Sequence, residues 1–191
     1  MSHANWQTRK SAVIEAREFV HNNSFGTLST INQGSHDFGG FPAGQIEYYS
    51  ETDDASLLMI RVDMSSAFGN IRKGSPASLA IRAGDAPRKV TPMHMAANHR
   101  IILYGEFDDY TPSEDEMRNF FARHPDADDW RPGSFGFHKT FWTKFTITGI
   151  YYIGGFGGEH YIGSIPVDQY KDVELVEESP TLLNWLLSWI L

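Results

Sequence analysis

The sequence predicts a mainly β protein, an antiparallel β-barrel with peripheral helices in a single domain. A chain of 191 residues is near the size of one domain and is long enough to bury a hydrophobic core. Short segments rich in β-branched and aromatic residues recur along it. Helices do not alternate with these segments: the order is helix, strands, helix, strands. This order suits an antiparallel barrel better than an alternating βαβ sheet.

Two helices are predicted from their spacing and their ends. Between residues 8 and 21, apolar side chains recur at helical spacing and charged side chains fill the other side. A second helix is expected to begin at Thr111, which can cap free amides and is followed by Pro112 and acidic residues suited to a first turn. It should end near Arg123, because Pro125 stops it.

The strands are predicted from apolar runs and from alternation, with Gly, Asp and Asn at the turns. They cover residues 25–31, 45–50, 57–62, 77–82, 100–107, 141–153 and 160–165. Residues 64–74 are expected to be a short helical or irregular link, and residues 166–170 a turn or short helix. The stretch 84–98, rich in Pro, Met and small residues, is predicted to be a long exposed loop.

Composition excludes several functions. A net charge of −8 argues against nucleic-acid binding, which needs a dense basic face. The chain has no cysteine, so disulfides, thiolate catalysis and cysteine-ligated metals are excluded. The adjacent Arg72 and Lys73 are too few for a polyanion but sufficient for one phosphate group.

The two ends of the chain give weaker indications. The N-terminal residues lack the apolar stretch of a signal peptide, which predicts a cytoplasmic protein, or a secreted or endolysosomal one if a leader has been removed. We divide the chain into a barrel domain, residues 1–175, and an apolar tail, residues 176–191. The tail is shorter than the roughly 20 apolar residues that span a bilayer. We expect it to pack on the domain or across a subunit interface, with a membrane-surface contact as the alternative.

Several blocks of sequence together resemble the CREG family. They are AREFVHNNSFGTLSTI at 16–31, GFP at 40–42, FGNIRKGSPASL at 68–79, FARHP at 121–125 with Trp130, FWTK at 141–144, IYYIGGFGG at 150–158 and DQY at 168–170. The resemblance covers roughly residues 12–173. The glycine-rich block is also similar to HugZ-type haem-degrading proteins.

The resemblance implies a split β-barrel of the FMN-binding, pyridoxamine-phosphate-oxidase-like superfamily. It further implies a homodimer, with any ligand site at the subunit junction, where a cleft offers an apolar floor and polar groups from two chains. Two function classes stay open, because fold does not settle function. One is a non-enzymatic or weakly flavin-binding dimer that binds a protein partner, in trafficking or growth control. The other is an FMN-dependent oxidoreductase.

A candidate flavin site follows from the same resemblance. FMN needs a cationic or amide-lined pocket for its phosphate. The residues at the matching strand and link are Arg61, Ser65, Ser66, Asn70, Arg72 and Lys73. The alternative is that Arg61 and Arg72 are surface charges and that Asn70 caps the link. Ala67-Phe68-Gly69 departs from the cation that flavin-binding relatives carry there, which places an aromatic ring near the phosphate position and favours the non-enzymatic class.

A second part of the site is expected on one strand. Trp142 and Lys144 lie two residues apart and so face the same side, where a ring can stack and a cation can meet an acidic group. The alternative is a core tryptophan with a lysine at the barrel rim. The glycine-rich residues 154–158 are expected to allow a bulge or a close approach, since no helix follows as in a P-loop.

The eight histidines show no metal-ligand spacing, so no metal site is predicted. Haem is the remaining cofactor alternative, with His94, His138 or His160 as the axial ligand. No Ser, His and Asp set indicates a nucleophilic triad, and no catalytic residue is assigned.

Overall fold

Eight antiparallel strands form the frame of the molecule. The structure is a computed structural model that describes residues 7–34, 38–82, 97–134, 138–155, 158 and 160–175. The strands are β1 Phe25–Ile31, β2 Pro42–Tyr48, β3 Ser50–Glu51, β4 Leu57–Val62, β5 Ala77–Arg82, β6 Arg100–Asp109, β7 Thr140–Ile153 and β8 Ile162–Ile165. The helices are α1 Arg9–His21, α2 Ser66–Arg72, α3 Glu114–Arg123 and α4 Val167–Lys171, and a 3₁₀ helix covers Pro125–Trp130.

The strands pair in the order β2-β1-β5-β6-β7-β4-β3, and β8 pairs with β7. Every pairing is antiparallel. β7 pairs with β6 along its length, with β4 through its first half and with β8 through its second half. β2, at one end of this order, comes into contact with β4, which is next to the other end, so the sheet curls toward a barrel. The predicted antiparallel, mainly β fold with peripheral helices is confirmed.

Most predicted elements are present. The strands at 25–31, 57–62 and 77–82 have the predicted bounds, and the link at 64–74 contains α2. β2 begins three residues before its predicted start. Its first residue is a proline, which an edge strand tolerates because its missing N–H faces away from the only partner, β1. The expected loop at 84–98 lies mostly outside the described residues, as does the tail at 176–191.

The core is divided by the sheet into two clusters. The inner cluster fills the barrel and includes Leu57, Met59 and Phe145, all fully buried. The outer cluster lies under α3 and the 3₁₀ helix and includes Leu58, Ile60 and Phe120. β4 therefore buries both of its faces over residues 57–60, which explains why its sequence is a continuous apolar run.

The glycines at 154 and 155 show the predicted close approach. A Cβ added to Gly154 would lie 2.5 Å from the side-chain oxygen of Gln7, and one added to Gly155 would lie 2.6 Å from the ring of His160. A side chain at either position would therefore have to displace the side chain of Gln7 or His160. None of the helices that the structure describes is long and apolar enough to cross a membrane.

Candidate functional site

A pocket of about 420 Å³ opens beside α2. Three segments form its walls: the turn before β2, the residues after β4, and α2 with the residue that follows it. Five of the eight predicted site residues line it, namely Ser65, Ser66, Asn70, Arg72 and Lys73. These five residues could be grouped from the sequence because they lie within one short link.

The side chain of Asn70 stabilises the shape of the pocket through hydrogen bonds. Its side-chain amide donates hydrogen bonds to Thr30 Oγ1 and to Asn32 Oδ1, both at 3.1 Å, and its Oδ1 accepts one from the backbone N–H of Gln33, also at 3.1 Å. The residue is buried. It ties α2 to the end of β1, so its side chain has little capacity left for a ligand.

The two serines are also engaged within the protein. Gln45 on β2 donates to Ser66 Oγ at 2.6 Å and accepts from Ser65 Oγ at 3.3 Å. Ser65 caps α2 by position, but its side chain makes no capping hydrogen bond. The hydroxyl groups thus link α2 to the edge strand β2.

The two cations of the pocket, Arg72 and Lys73, differ in their interactions with the rest of the protein. Arg72 donates to the backbone oxygen of Asp63 at 3.1 Å and pairs with the Asp63 carboxylate at 3.6 Å. Lys73 makes no ion pair or side-chain hydrogen bond to any residue that the structure describes, and it is exposed. Lys73 is therefore the cation of this pocket that a ligand would meet without competition.

Arg61 lies outside the pocket. It pairs with Asp109 at 3.1 Å, and its guanidinium lies 4.7 Å from the ring centroid of Phe141. Both partners come from the strands beyond β4. The structure therefore separates Arg61 from Arg72 and Lys73, and in one chain the three cations do not converge on a single anion.

Trp142 and Lys144 are on the same side of β7, as predicted, but not beside the pocket. They pair in register with Ile60 and Leu58, on the outer face, whereas Arg61 and Phe141 alternate onto the other face. The Trp142 ring packs edge-on against Phe120 and Phe121 of α3 at 5.3 and 5.6 Å. Lys144 reaches Asp54 at 3.4 Å and lies 4.9 Å from the Tyr110 ring. This arrangement matches the alternative interpretation, a core tryptophan with a rim lysine.

Phe68 does not line the pocket. Its side chain is buried in the inner cluster, where it meets Phe107 edge-on at 5.3 Å. Of the Ala67-Phe68-Gly69 stretch, Gly69 is the residue that lines the pocket. The sequence showed the missing cation but not the direction of the ring.

A second cavity was not predicted from sequence. It measures about 330 Å³ and lies where β2 and β4 approach each other without pairing, with Glu47, Tyr48, Ile60 and Trp130 among its lining residues. Burial raises the pKa of Glu47 to about 7. The feature of the sequence that could have indicated this cavity is the acidic residue Glu47, which lies within a strand between Ile46 and Tyr48.

The described histidines are placed as follows. His99 accepts or donates a 2.7 Å hydrogen bond with Tyr152, and His124 makes a 3.0 Å bond with the backbone oxygen of Tyr49. Burial lowers the pKa of both rings. His138 and His160, two of the haem candidates, are exposed, and His94 lies outside the described residues. Within the described ranges, no group of three or more His, Asp or Glu side chains is arranged to hold a metal ion.

Comparison with known families adds the decisive observation. The family model described as CREG, beta-barrel, matches residues 7–172. The chain belongs to the CREG β-barrel family. A curated member of this family, Protein CREG1 from Gallus gallus, is 27% identical over 163 residues, which cover 78% of this chain and 81% of the relative.

Solved structures with a similar fold confirm the split barrel. A heme binding protein from Mycobacterium smegmatis superposes with a TM-score of 0.68 at 20% identity, over 88% of this chain and 63% of that chain. A protein of the pyridoxinephosphate oxidase family from Clostridium acetobutylicum gives a TM-score of 0.52 at 11% identity, over 84% of this chain and 98% of that chain. At these identities the likeness establishes the fold alone.

Proposed function

We propose that this CREG-family chain acts as a homodimeric, non-enzymatic binding protein whose α2 pocket holds FMN weakly. The observation that carries the proposal is the internal pairing of the pocket's polar groups. Asn70 is bonded to β1 and the residues after it, the serines are bonded to Gln45, and Arg72 is paired with Asp63. Among the pocket residues that the structure describes, Lys73 is the cation left to meet a phosphate dianion.

A single exposed cation is a poor phosphate site. Tight phosphate binding in proteins uses several charge-assisted hydrogen bonds, often bidentate ones from arginine. Arg72 has to leave Asp63 before it can supply them, and the carboxylate it leaves behind repels the phosphate. The described part of this pocket therefore offers less fixed positive charge than an FMN-dependent oxidoreductase would need to keep its cofactor.

Exposed apolar side chains support the dimer and the binding of a protein partner. Four large ones lie on β2, on the turn before it and just after β4: Phe38, Phe41, Ile46 and Met64, each more than 60% exposed. Clustered apolar exposure of this kind is typical of a protein–protein interface. Phe38 and Met64 also line the α2 pocket, so a second copy placed here would close the pocket at the subunit junction.

The flavin part of the proposal is tested by titration. We expect the purified protein to be colourless and to bind FMN with a Kd of about 10 μM or weaker, measured by quenching of flavin fluorescence. Asp63→Asn should tighten binding about tenfold, because it releases Arg72, and Lys73→Met should weaken it about tenfold. Lys171→Met, on α4 and away from the pocket, is the matched control and should leave the Kd unchanged.

Two results would overturn the proposal. A yellow protein that retains one FMN per chain through purification would indicate a flavoprotein. Equal Kd values for all three variants would place FMN binding elsewhere on the molecule.

Hemin is titrated in parallel, since one structural relative is a heme binding protein. A Soret band that shifts at one hemin per chain would favour the haem-binding alternative instead.

A further inference from the structure

A groove of about 570 Å³ lies between α1 and α4. Its lining includes the apolar residues Val13, Ile14 and Val173 and the polar residues Lys10 and Gln169. Val13 is buried, whereas Ile14 is 40% exposed and is one of the large apolar side chains that the described fold leaves uncovered. Neither the proposed FMN pocket nor the apolar surface around β2 includes any part of this groove.

The course of the chain points to an occupant. Val173 and Glu174 line the groove, and residue 175 is the last that the structure describes. Five residues, 176–180, then separate it from the segment 181–191. Eight of the eleven residues in that segment are apolar: Leu182, Leu183, Trp185, Leu186, Leu187, Trp189, Ile190 and Leu191. A linker of five residues spans up to about 17 Å, which is enough to bring the segment back across two adjacent helices.

We propose that residues 181–191 dock into the groove between α1 and α4 of the same chain and cover Ile14. An uncovered segment of this composition would expose a contiguous apolar surface, which soluble domains rarely keep. The short linker gives the segment an effective concentration at the groove in the millimolar range, far above that of a second copy in dilute solution.

The charges around the groove disfavour a membrane as the occupant. Asp172 and Glu174 line it, and Glu177 and Glu178 lie in the linker. Against these four acids the groove has one basic residue, Lys10. A surface with this balance is repelled by anionic lipid headgroups, whose attraction depends on clusters of Lys and Arg.

The test uses the full chain and a matched pair of substitutions. Ile14→Lys places a charge in the lining of the groove. Ile162→Lys places the same charge on β8, where the isoleucine is 52% exposed and lies outside the groove. Chymotrypsin cuts after Leu and Trp, so the rate of cleavage within 181–191, followed by mass spectrometry, reports whether the segment is covered.

We expect the unmodified chain and Ile162→Lys to lose the segment slowly and at equal rates, and Ile14→Lys to lose it about tenfold faster. Circular dichroism of all three should coincide, which separates undocking from unfolding. Hydrogen exchange gives an independent readout: deletion of 181–191 should accelerate exchange at the amides of residues 10–14.

Three outcomes would overturn the proposal. Equal cleavage of Ile14→Lys and the unmodified chain would mean that the groove does not hold the segment. Protection that rises with protein concentration would assign the groove to a second copy. Protection that needs phosphatidylcholine–phosphatidylserine vesicles would assign the segment to a membrane surface. None of these outcomes depends on whether FMN binds.

Discussion

Glu47 is a carboxylic acid in a largely apolar setting. It lines the cavity between β2 and β4 together with Ile46, Tyr48 and Ile60. Among the residues that the structure describes, none forms a hydrogen bond or ion pair with its carboxylate. Because nothing compensates for the lost water, burial favours the protonated acid and raises its pKa to about 7.

This residue predicts a measurable pH dependence of stability. The folded-state pKa of Glu47 lies above the unfolded value, so its contribution is most favourable at low pH and is lost as the pH rises through about 7. Glu47→Gln removes the charge while keeping the shape. We expect it to raise the free energy of unfolding by about 2–3 kcal/mol at pH 8 and to change it little at pH 5.

Urea denaturation at the two pH values measures this difference. Glu106→Gln makes the same change at an exposed residue of β6 and serves as the control. A Glu47→Gln protein no more stable than the unmodified chain at pH 8 would show that the carboxylate has found a partner.

Also at the residue scale, the site residues that could be grouped from the sequence are those that lie close together along the chain. Ser65, Ser66, Asn70, Arg72 and Lys73 belong to one link and line one pocket. Arg61 and the pair Trp142 and Lys144 were joined to them only through the family resemblance. Strand pairing puts Arg61 on one face of the sheet and Trp142 on the other, and register is a long-range property that the local pattern does not contain.

At the scale of elements, α3 has a well-defined start. Ser113 is the N-cap: its hydroxyl accepts from the backbone N–H of Glu116, and the Glu116 carboxylate accepts from the backbone N–H of Ser113 at 2.8 Å. Glu116 is buried and also accepts from the Tyr110 hydroxyl at 3.1 Å. The capping box thus fixes the helix against the end of β6.

We expect Ser113→Ala to lower the free energy of unfolding by about 1 kcal/mol, because it leaves a first-turn amide without its acceptor. Thr111→Ala should have an effect within about 0.5 kcal/mol, since Thr111 is exposed and lies before the cap. Thermal or urea unfolding of the two variants compares them directly. A larger loss for Thr111→Ala would mean that the helix begins earlier in solution.

Thr111 and Ser113 also show how precisely the start of a helix could be predicted from the sequence. It predicted α3 and its end correctly but placed the cap at Thr111, because Thr-Pro and Ser-Glu are both acceptable helix starts. In the structure Glu116 completes the box with Ser113, and the Tyr110 hydroxyl also donates to its carboxylate. β2 was predicted at residues 45–50 rather than Pro42–Tyr48, because Pro42 and Gly44 weaken the strand pattern at its start, where it nevertheless pairs with β1.

At the scale of the whole molecule, the exposed apolar side chains predict association. We expect sedimentation equilibrium to give a mass of about 43 kDa, twice the 21.6 kDa of one chain. Ile46→Lys, at a residue that is 70% exposed on β2, should shift the equilibrium to the single chain by at least tenfold in dissociation constant. Ile162→Lys, away from β2, is the control and should remain dimeric.

A sedimenting species of 21.6 kDa for the unmodified chain would remove the dimer from the proposed function. An unchanged dimer in Ile46→Lys would move the interface to another face. Neither the sequence nor the structure of a single chain identifies which exposed apolar side chains a partner covers. An apolar residue at an interface has the same sequence pattern as one that stays in solvent.

The placement of β7 has a consequence for how the chain is made. β4 buries both of its faces and pairs on one edge with the short preceding strand β3, yet its long partner β7 lies some 80 residues further on, with Leu57 opposite Phe145. During synthesis a ribosome therefore releases two apolar surfaces long before the strand that completes their sheet emerges. Long-range pairing of this kind slows folding and leaves intermediates prone to aggregation. The nascent polypeptide is thus most in need of a chaperone between the synthesis of β4 and that of β7.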